Sequence, residues 1–196
     1  ESTEPTPEIP EVDFLLLSGG NKIDRYAAQN LMAPVRSITV SGLGMGEQLL
    51  AIDFRPATGQ LYGVSSGSRL YAINQNTGVA TALGTAPFSP AIDGNVVGFD
   101  FNPTVDRIRL VTANGQNLRL HPELGTVVAT DGAVNGVMNA RISGAAYTEN
   151  FAGTTTTALY NIDPQTDQLY KQDPPNDGTQ VVVGSLGVDL TGDGGF

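Results

Sequence analysis

The sequence predicts an all-β protein, a β-propeller built from four-stranded repeats of about 47 residues, with about four blades in this chain. The main observation is a recurrence along the chain. Phe54 returns as Phe101 and Leu61 returns as Ile108, so that each pair is separated by 47 positions. A fixed period of about 40 to 50 residues matches the length of one propeller blade.

Composition supports the same fold class. The chain of 196 residues contains 24 Gly and 12 Pro, which lie between short apolar runs, as expected for strands joined by tight turns. No stretch keeps the apolar spacing of an amphipathic helix for three turns, and the apolar runs are rich in Val, Ile, Leu and Tyr. We therefore predict strands throughout the folded part.

The N-terminal residues 1–12 are acidic and rich in Pro. Such a segment cannot bury enough apolar surface to fold, so we interpret it as a disordered, lipoprotein-like tether. A chain that lacks an initiating Met and begins with a tether resembles the mature part of an exported protein. The expected location is therefore secreted, periplasmic or anchored at the cell surface.

Residues 13–196 are predicted to form a single propeller-like domain made of successive units. Their approximate bounds are 13–46, 47–95, 96–141 and 142–187, with the start of another unit at 188–196. The first unit contains a predicted hairpin, with strands at 14–17 and 22–26, followed by a strand at 36–41. This unit lacks a candidate for the innermost strand.

The later units each contain four predicted strands. Those of the second unit are 49–54, 60–65, 69–74 and 79–83; those of the third are 97–101, 107–112, 117–121 and 126–130; those of the fourth, in which the repeat is weaker, are 143–148, 157–162, 168–171 and 180–184. Residues 188–190 (VDL) resemble residues 52–54 (IDF), as if a fifth unit began there. Either this segment completes the first blade and closes the ring, or the natural protein continues beyond residue 196.

Residues 98–122 (GFDFNPTVDRIRLVTANGQNLRLHP), with 173–179 (DPPNDGT) and 186–196 (LGVDLTGDGGF), resemble a bacterial family catalogued only as a domain of unknown function, number 4394. The resemblance covers nearly everything after the tether. It implies exported bacterial proteins with propeller-like repeats, no established activity and no assigned catalytic residues. The sequence differs from that family in ending at Phe196, where the relatives run on into another blade.

Charge and residue usage exclude several function classes. The net charge is −10, and the ten basic residues are dispersed, so a nucleic-acid partner is not expected. The absence of Cys excludes disulfides and thiolate sites, and the single histidine, His121, excludes zinc centres with several imidazoles. There is no Gly-x-Ser-x-Gly motif and no apolar run long enough to cross a membrane. We expect a monomer that is not an enzyme.

Carboxylates repeat at equal positions of successive units. Asp53 and Asp100 are 47 positions apart, and Asp189 is a candidate third member. If their strands are innermost, these carboxylates would surround the propeller axis and could bind a cation or a polar ligand. Alternatively, each Asp accepts hydrogen bonds from backbone donors at a strand end, where Pro56 or Pro103 interrupts the strand.

Asp189, Thr191 and Asp193 lie at alternate positions, like the first oxygen ligands of a calcium loop. The twelfth position of such a loop would lie past residue 196, and a glycine-rich turn is the alternative interpretation. No cofactor other than calcium is suggested by the sequence.

Tyrosines recur in Leu-Tyr pairs at equivalent strand positions, namely Tyr62, Tyr71, Tyr160 and Tyr170. Exposed at one end of the ring, they would stack on sugars. The alternative places their rings between blades with the hydroxyl groups at the rim.

The sequence therefore leaves three functional hypotheses. The first is a non-catalytic binding or adhesion module, which presents loops at one end to an extracellular glycan, peptide or surface protein. The second is an extracellular hydrolase or lyase that uses Asp53 and Asp100 as acid and base. The third is a purely structural spacer. Convergence of the two carboxylates in a shared pocket would favour the enzyme, whereas separate capping of strands would weaken it.

Overall fold

The structure, a computed structural model, describes residues 8–19, 21–192 and 194–195. This part of the chain forms four antiparallel sheets arranged as a four-bladed β-propeller, with a single 3-10 turn at Pro175–Asp177 and no longer helix. The all-β propeller prediction is therefore confirmed. No helix of the described residues is long and apolar enough to span a membrane.

The strands follow the predicted order closely. Blade 1 contains β1 (Asp13–Ser18), β2 (Lys22–Ala27) and β3 (Arg36–Thr39); blade 2 contains β4 (Leu49–Phe54), β5 (Leu61–Ser65), β6 (Leu70–Ile73) and β7 (Ala80–Leu83); blade 3 contains β8 (Val97–Asn102), β9 (Arg107–Thr112), β10 (Asn117–His121) and β11 (Thr126–Thr130); blade 4 contains β12 (Gly144–Tyr147), β13 (Leu159–Asp163), β14 (Gln168–Gln172) and β15 (Gln180–Ser185). Each sheet is a meander in which sequence neighbours pair.

Strand register confirms the 47-residue period in the first three blades. Equivalent cross-strand pairs advance by 47 positions on both strands from one blade to the next. These pairs are Leu17 with Ile23, Val64 with Leu70 and Val111 with Asn117. Blade 4 departs from the period because residues 148–158 form a longer connection between its first two strands. By this alignment, β1 is the counterpart of β5 and β9.

The first strands of blades 2, 3 and 4 lie side by side around the axis, since β8 contacts both β4 and β12. Gly98 in β8 permits this approach, because a Cβ there would lie only 2.7 Å from the Cβ of Ala145. Apolar cores fill the spaces between the blades. Tyr62 of blade 2 meets Phe101 of blade 3 edge to face, with ring centroids 5.1 Å apart, a geometry that adds to the free energy of burial.

Glycines in the turns before the outer strands join neighbouring blades at the rim. They have positive φ angles and are Gly78 (+77°), Gly125 (+62°) and Gly178 (+73°). A Cβ at Gly125 would overlap the carbonyl oxygen of Leu83 in the preceding blade, and the other two glycines approach the backbone of Thr39 and Gly132 in the same way. Both the φ angle and the close approach require glycine at these positions.

Residues 188–190, proposed above as the start of another unit, are not in a strand. Instead, the Leu190 N–H donates to Asp167 Oδ1 at 2.9 Å in the turn between β13 and β14. The physical reason is chain length, because outer strands connect to the next inner strand through residues 40–48, 84–96 and 131–143. Val188 follows Ser185, the end of β15, too closely to make such a connection. Among the described residues, the segment does not close the ring.

Most of the predicted tether, residues 1–7, lies outside the described residues. Residues 8–12 are exposed and form no strand. The chain is fixed from Val12 onward, because the Val12 carbonyl accepts a 2.8 Å hydrogen bond from the Ala28 N–H.

Candidate functional site

Asp53 and Asp100 lie on the adjacent inner strands β4 and β8, as the sequence predicted. Asp53 Oδ2 accepts a 3.0 Å hydrogen bond from the Phe101 N–H in the next blade, and its Oδ1 accepts a 2.7 Å bond from the Phe54 N–H. The Asp53 carboxylate therefore links the inner strands of blades 2 and 3.

Asp100 repeats this arrangement one blade further on. Its Oδ2 accepts a hydrogen bond from the Tyr147 N–H of β12, and its Oδ1 accepts a 3.3 Å bond from Asn150 Nδ2. Asp100 is only 5% exposed. A buried carboxylate with such donors acts chiefly as a structural connection between blades.

The two carboxyl groups are also hydrogen-bonded to each other. Burial, followed by the charge of Asp53 and the hydrogen bond to it, raises the pKa of Asp100 to about 9. Burial also raises the pKa of Asp53, although the hydrogen bond from Asp100 opposes this shift. At neutral pH, Asp100 therefore retains a proton that it donates to Asp53.

The geometry has features of both interpretations of these carboxylates. The two groups converge, as a shared site at the axis would require, but each also accepts a hydrogen bond from a backbone N–H of the neighbouring blade, as the structural interpretation would require. Asp189, the proposed third member, is exposed in the C-terminal segment and does not join them. None of the cavities described below is lined by Asp53 or Asp100.

The calcium-loop hypothesis is not tested by the structure. Asp189 and Thr191 are exposed, and Asp193 lies outside the described residues. Within the described residues, no group of three or more His, Asp or Glu side chains is placed to hold a metal ion.

A polar cleft lies between blades 3 and 4, which we call the blade 3–4 cleft. It consists of two adjoining cavities of about 350 and 400 Å³ that share Arg141 and Gln165. Its other lining residues are Ala113, Asn114, Gly115, Val134, Val137, Asn139, Ala140, Pro164, Leu190, Thr191 and Gly192. The cleft is formed by the turns between the second and third strands of both blades and by the connections on either side of blade 4.

Asp163 positions the two shared residues of this cleft. It is completely buried at the end of β13. Its Oδ2 accepts a 3.0 Å hydrogen bond from the Arg141 N–H, and its Oδ1 accepts a 2.9 Å bond from the Gln165 N–H. One carboxylate therefore fixes the backbone on both sides of the cleft.

A second cavity, of about 520 Å³, lies along the outer part of blade 2 and includes Gln60, Asn74 and Asn76. Gln60 Nε2 donates to the carbonyl oxygens of Leu61 at 3.0 Å and Ile73 at 2.7 Å. These bonds engage the amide donors of Gln60 within the sheet. The amide hydrogens of Gln60 are therefore not available to a ligand.

The repeated tyrosines do not form a platform for sugars. Tyr62, Tyr71 and Tyr170 are buried between strands, and Tyr160 is partly exposed. Their hydroxyl groups are used inside the protein, as in the 2.7 Å bond that Tyr71 donates to Glu47. The interpretation of rings packed between blades is supported for the three buried tyrosines.

Buried arginines form further links that the sequence did not indicate. Arg109 occupies the position of Tyr62 one repeat later and is 2% exposed. It donates to Asn117 and Asp131, both at 2.7 Å, and to Asn176 of blade 4 at 2.8 Å. The signal available in the sequence was that a charged residue, Arg109, stands where the preceding repeat has the aromatic residue Tyr62.

One comparison with known proteins identifies the family, and that family has no assigned function. A family model described as a domain of unknown function (DUF4394) matches residues 22–196. No curated protein matches the chain significantly. Two crystal structures of BBS1N in complex with ARL6DN resemble this chain. The one soaked with mercury has a TM-score of 0.46 and 13% sequence identity, and the one soaked with lead has a TM-score of 0.47 and 12% identity. The matches cover 92% of this chain and 68% or 70% of the other.

Proposed function

The chain belongs to the DUF4394 family of domains of unknown function, and we propose that it is a non-catalytic binding module of an exported or surface-anchored protein. Its ligand is an extended peptide segment presented by a secreted or surface partner. The ligand occupies the blade 3–4 cleft. The protein acts as a monomer and releases the peptide unchanged.

The blade 3–4 cleft is the observation that carries this proposal. Its two cavities meet at Arg141 and Gln165, and the buried Asp163 fixes the backbone of both residues. A preformed backbone lowers the entropy lost on binding. Concave sites with a few directed polar groups are typical of ligand binding.

The lining of the cleft favours a peptide over a glycan. Asn139 and Gln165 supply amide groups for main-chain hydrogen bonds, and Val134 and Val137 supply an apolar surface for a side chain. None of the described lining residues is aromatic, so a stacking surface for sugars is missing from them.

The proposal is tested by selecting peptides from a random library on the immobilised protein, in parallel with a panel of oligosaccharides. Dissociation constants are then measured for the wild type, Gln165→Ala and the matched control Asn76→Ala, which alters the cavity on blade 2. We expect selected peptides to bind Gln165→Ala at least about tenfold more weakly than the wild type. Selection of oligosaccharides alone, or equal binding by both variants, would refute the proposal.

The enzyme hypothesis retains one specific observation in its favour, the hydrogen-bonded pair of Asp53 and Asp100 with its raised pKa values. Such pairs occur in catalytic sites. The backbone bonds of both carboxyl groups support a structural role instead. Turnover of an extracellular polymer that is abolished by both Asp53→Asn and Asp100→Asn, in variants that remain folded, would favour the enzyme.

A further inference from the structure

The three methionines of the chain lie on its surface. Met32, Met45 and Met138 are each at least 89% exposed, although Met belongs to the residue types that are most often buried. The chain contains no Cys, so its sulfur atoms are those of three exposed thioethers. A thioether in this state is readily oxidised to a sulfoxide.

Met138 lies in the connection between blades 3 and 4, and the backbone on both sides of it is fixed. Before it, the Asn135 N–H donates to the carbonyl oxygen of Gly178 in blade 4 at 3.0 Å. After it, the Arg141 N–H donates to the buried Asp163 at 3.0 Å. The position of Met138 is therefore set by the fold.

The apolar side chains of this connection divide between the core and the solvent. Val134, Val137 and Ala140 pack against the apolar cluster between the blades. Among residues 131–143, all of which the structure describes, Met138 is the one large apolar residue that is exposed. Its thioether contributes little burial to the fold, so a polar sulfoxide at this position removes no core contact.

Met138 also lies between two residues of the blade 3–4 cleft. Val137 and Asn139, on either side of it, line the cleft, and Asn139 has a positive φ angle of +57°. Met138 is thus at the rim of the cleft. Because a thioether side chain is flexible and polarisable, Met is frequent at surfaces that bind varied partners. At the rim, Met138 extends the apolar surface that Val134 and Val137 offer.

We propose that Met138 is a modification site whose oxidation weakens peptide binding in the blade 3–4 cleft, an inference that rests on the binding function proposed above. The oxidant is hydrogen peroxide. The thioether sulfur attacks one peroxide oxygen, and the S–O bond forms as the O–O bond breaks. The second oxygen takes the proton of the first and leaves as water, so sulfur loses two electrons and peroxide gains them.

The sulfoxide replaces an apolar side chain by a polar one. A peptide that covers the rim of the cleft must then remove water from the sulfoxide oxygen of Met138, which costs affinity. Met45 provides a matched control, because it is also fully exposed and lies in the corresponding connection between blades 1 and 2, residues 40–48. Met45 does not line the cleft, so its oxidation should leave binding unchanged.

The test treats the wild type, Met138→Leu and Met45→Leu with hydrogen peroxide under native conditions. Intact mass spectrometry should show three added oxygen atoms in the wild type and two in each variant, because all three methionines are exposed. Urea unfolding of the wild type should give the same free energy before and after oxidation, since no core contact is lost.

Peptides selected on the unoxidised protein are then titrated against each protein before and after oxidation. Oxidation should weaken binding at least about threefold in the wild type and in Met45→Leu. The affinity of Met138→Leu should be the same before and after oxidation. Reduction by methionine sulfoxide reductases should restore the affinity of the oxidised wild type.

Three results would overturn the proposal. Unchanged binding by the oxidised wild type, or equal weakening in all three proteins, would overturn the role of Met138 and leave the proposed function intact. Oxidation of Met138 only after unfolding would show that its thioether is not accessible. If no peptide binds the unoxidised protein, the proposed function fails, and regulation of that binding fails with it.

Discussion

Replacing Asp100 by Asn is predicted to change how the stability of the protein depends on pH. In the unfolded chain Asp100 loses its proton near the ordinary pKa of 3.8, whereas the folded protein retains it up to a pKa of about 9. The folded state therefore binds one additional proton between these values. Because its folded pKa is raised, this group contributes most at low pH, and the free energy of unfolding falls as the pH rises.

The magnitude follows from proton linkage. One proton corresponds to about 1.4 kcal/mol per pH unit, so this group alone lowers the free energy of unfolding by about 4 kcal/mol from pH 5 to pH 8. Asn at position 100 stays neutral, can donate to Asp53 and can accept from the Tyr147 N–H. We therefore expect Asp100→Asn to flatten the pH dependence by about one proton, and to gain stability relative to the wild type as the pH rises.

Urea unfolding followed by circular dichroism at pH 5, 6, 7 and 8 measures these slopes. Asp189→Asn is the matched control, because it removes an exposed carboxylate from the C-terminal segment. Its slope should equal that of the wild type. Parallel slopes for Asp100→Asn and the wild type would refute the shared proton between Asp53 and Asp100.

Two further substitutions test the rim and the blade 3–4 cleft. Gly125→Ala should lower the free energy of unfolding by roughly 3 kcal/mol, because the new Cβ combines a positive φ with overlap on Leu83. The control Gly59→Ala has a positive φ but open space around it, so it should lower the free energy of unfolding by only about 1 kcal/mol. Equal losses in denaturant titrations of the two variants would contradict the rim contact. Asp163→Asn should weaken peptide binding and lower the free energy of unfolding by about 1–3 kcal/mol, because its amide nitrogen cannot accept a hydrogen bond from the Arg141 N–H. Unchanged affinity in a titration of the folded variant would show that Asp163 does not position the cleft.

The strands could be predicted from the sequence because the repeat fixes them. Gly and Pro mark the turns, and Phe54 and Phe101 occupy equal places in adjacent inner strands. The meeting of Asp53 and Asp100 follows from the same repeat, because equal positions on neighbouring inner strands are close in space. The proton that the carboxyl groups of Asp53 and Asp100 share could not be predicted from the sequence, because the raised pKa of Asp100 depends chiefly on its burial.

The blade 3–4 cleft could not be predicted in this way. Arg141 and Gln165 come together through loops that carry no periodic pattern, and their common partner Asp163 looks like an ordinary turn residue in the sequence. The start of another unit at residues 188–196 stays a prediction. Residues 188–190 resemble residues 52–54 in sequence, but they are not in a strand.

The position of a bound ligand tests the proposed binding function most directly. A crystal structure of the protein with a selected peptide should place the peptide main chain against Asn139 and Gln165, with Asp53 and Asp100 untouched. A peptide bound along blade 2 near Asn76, or at the axis against the two carboxyl groups, would contradict the proposed site.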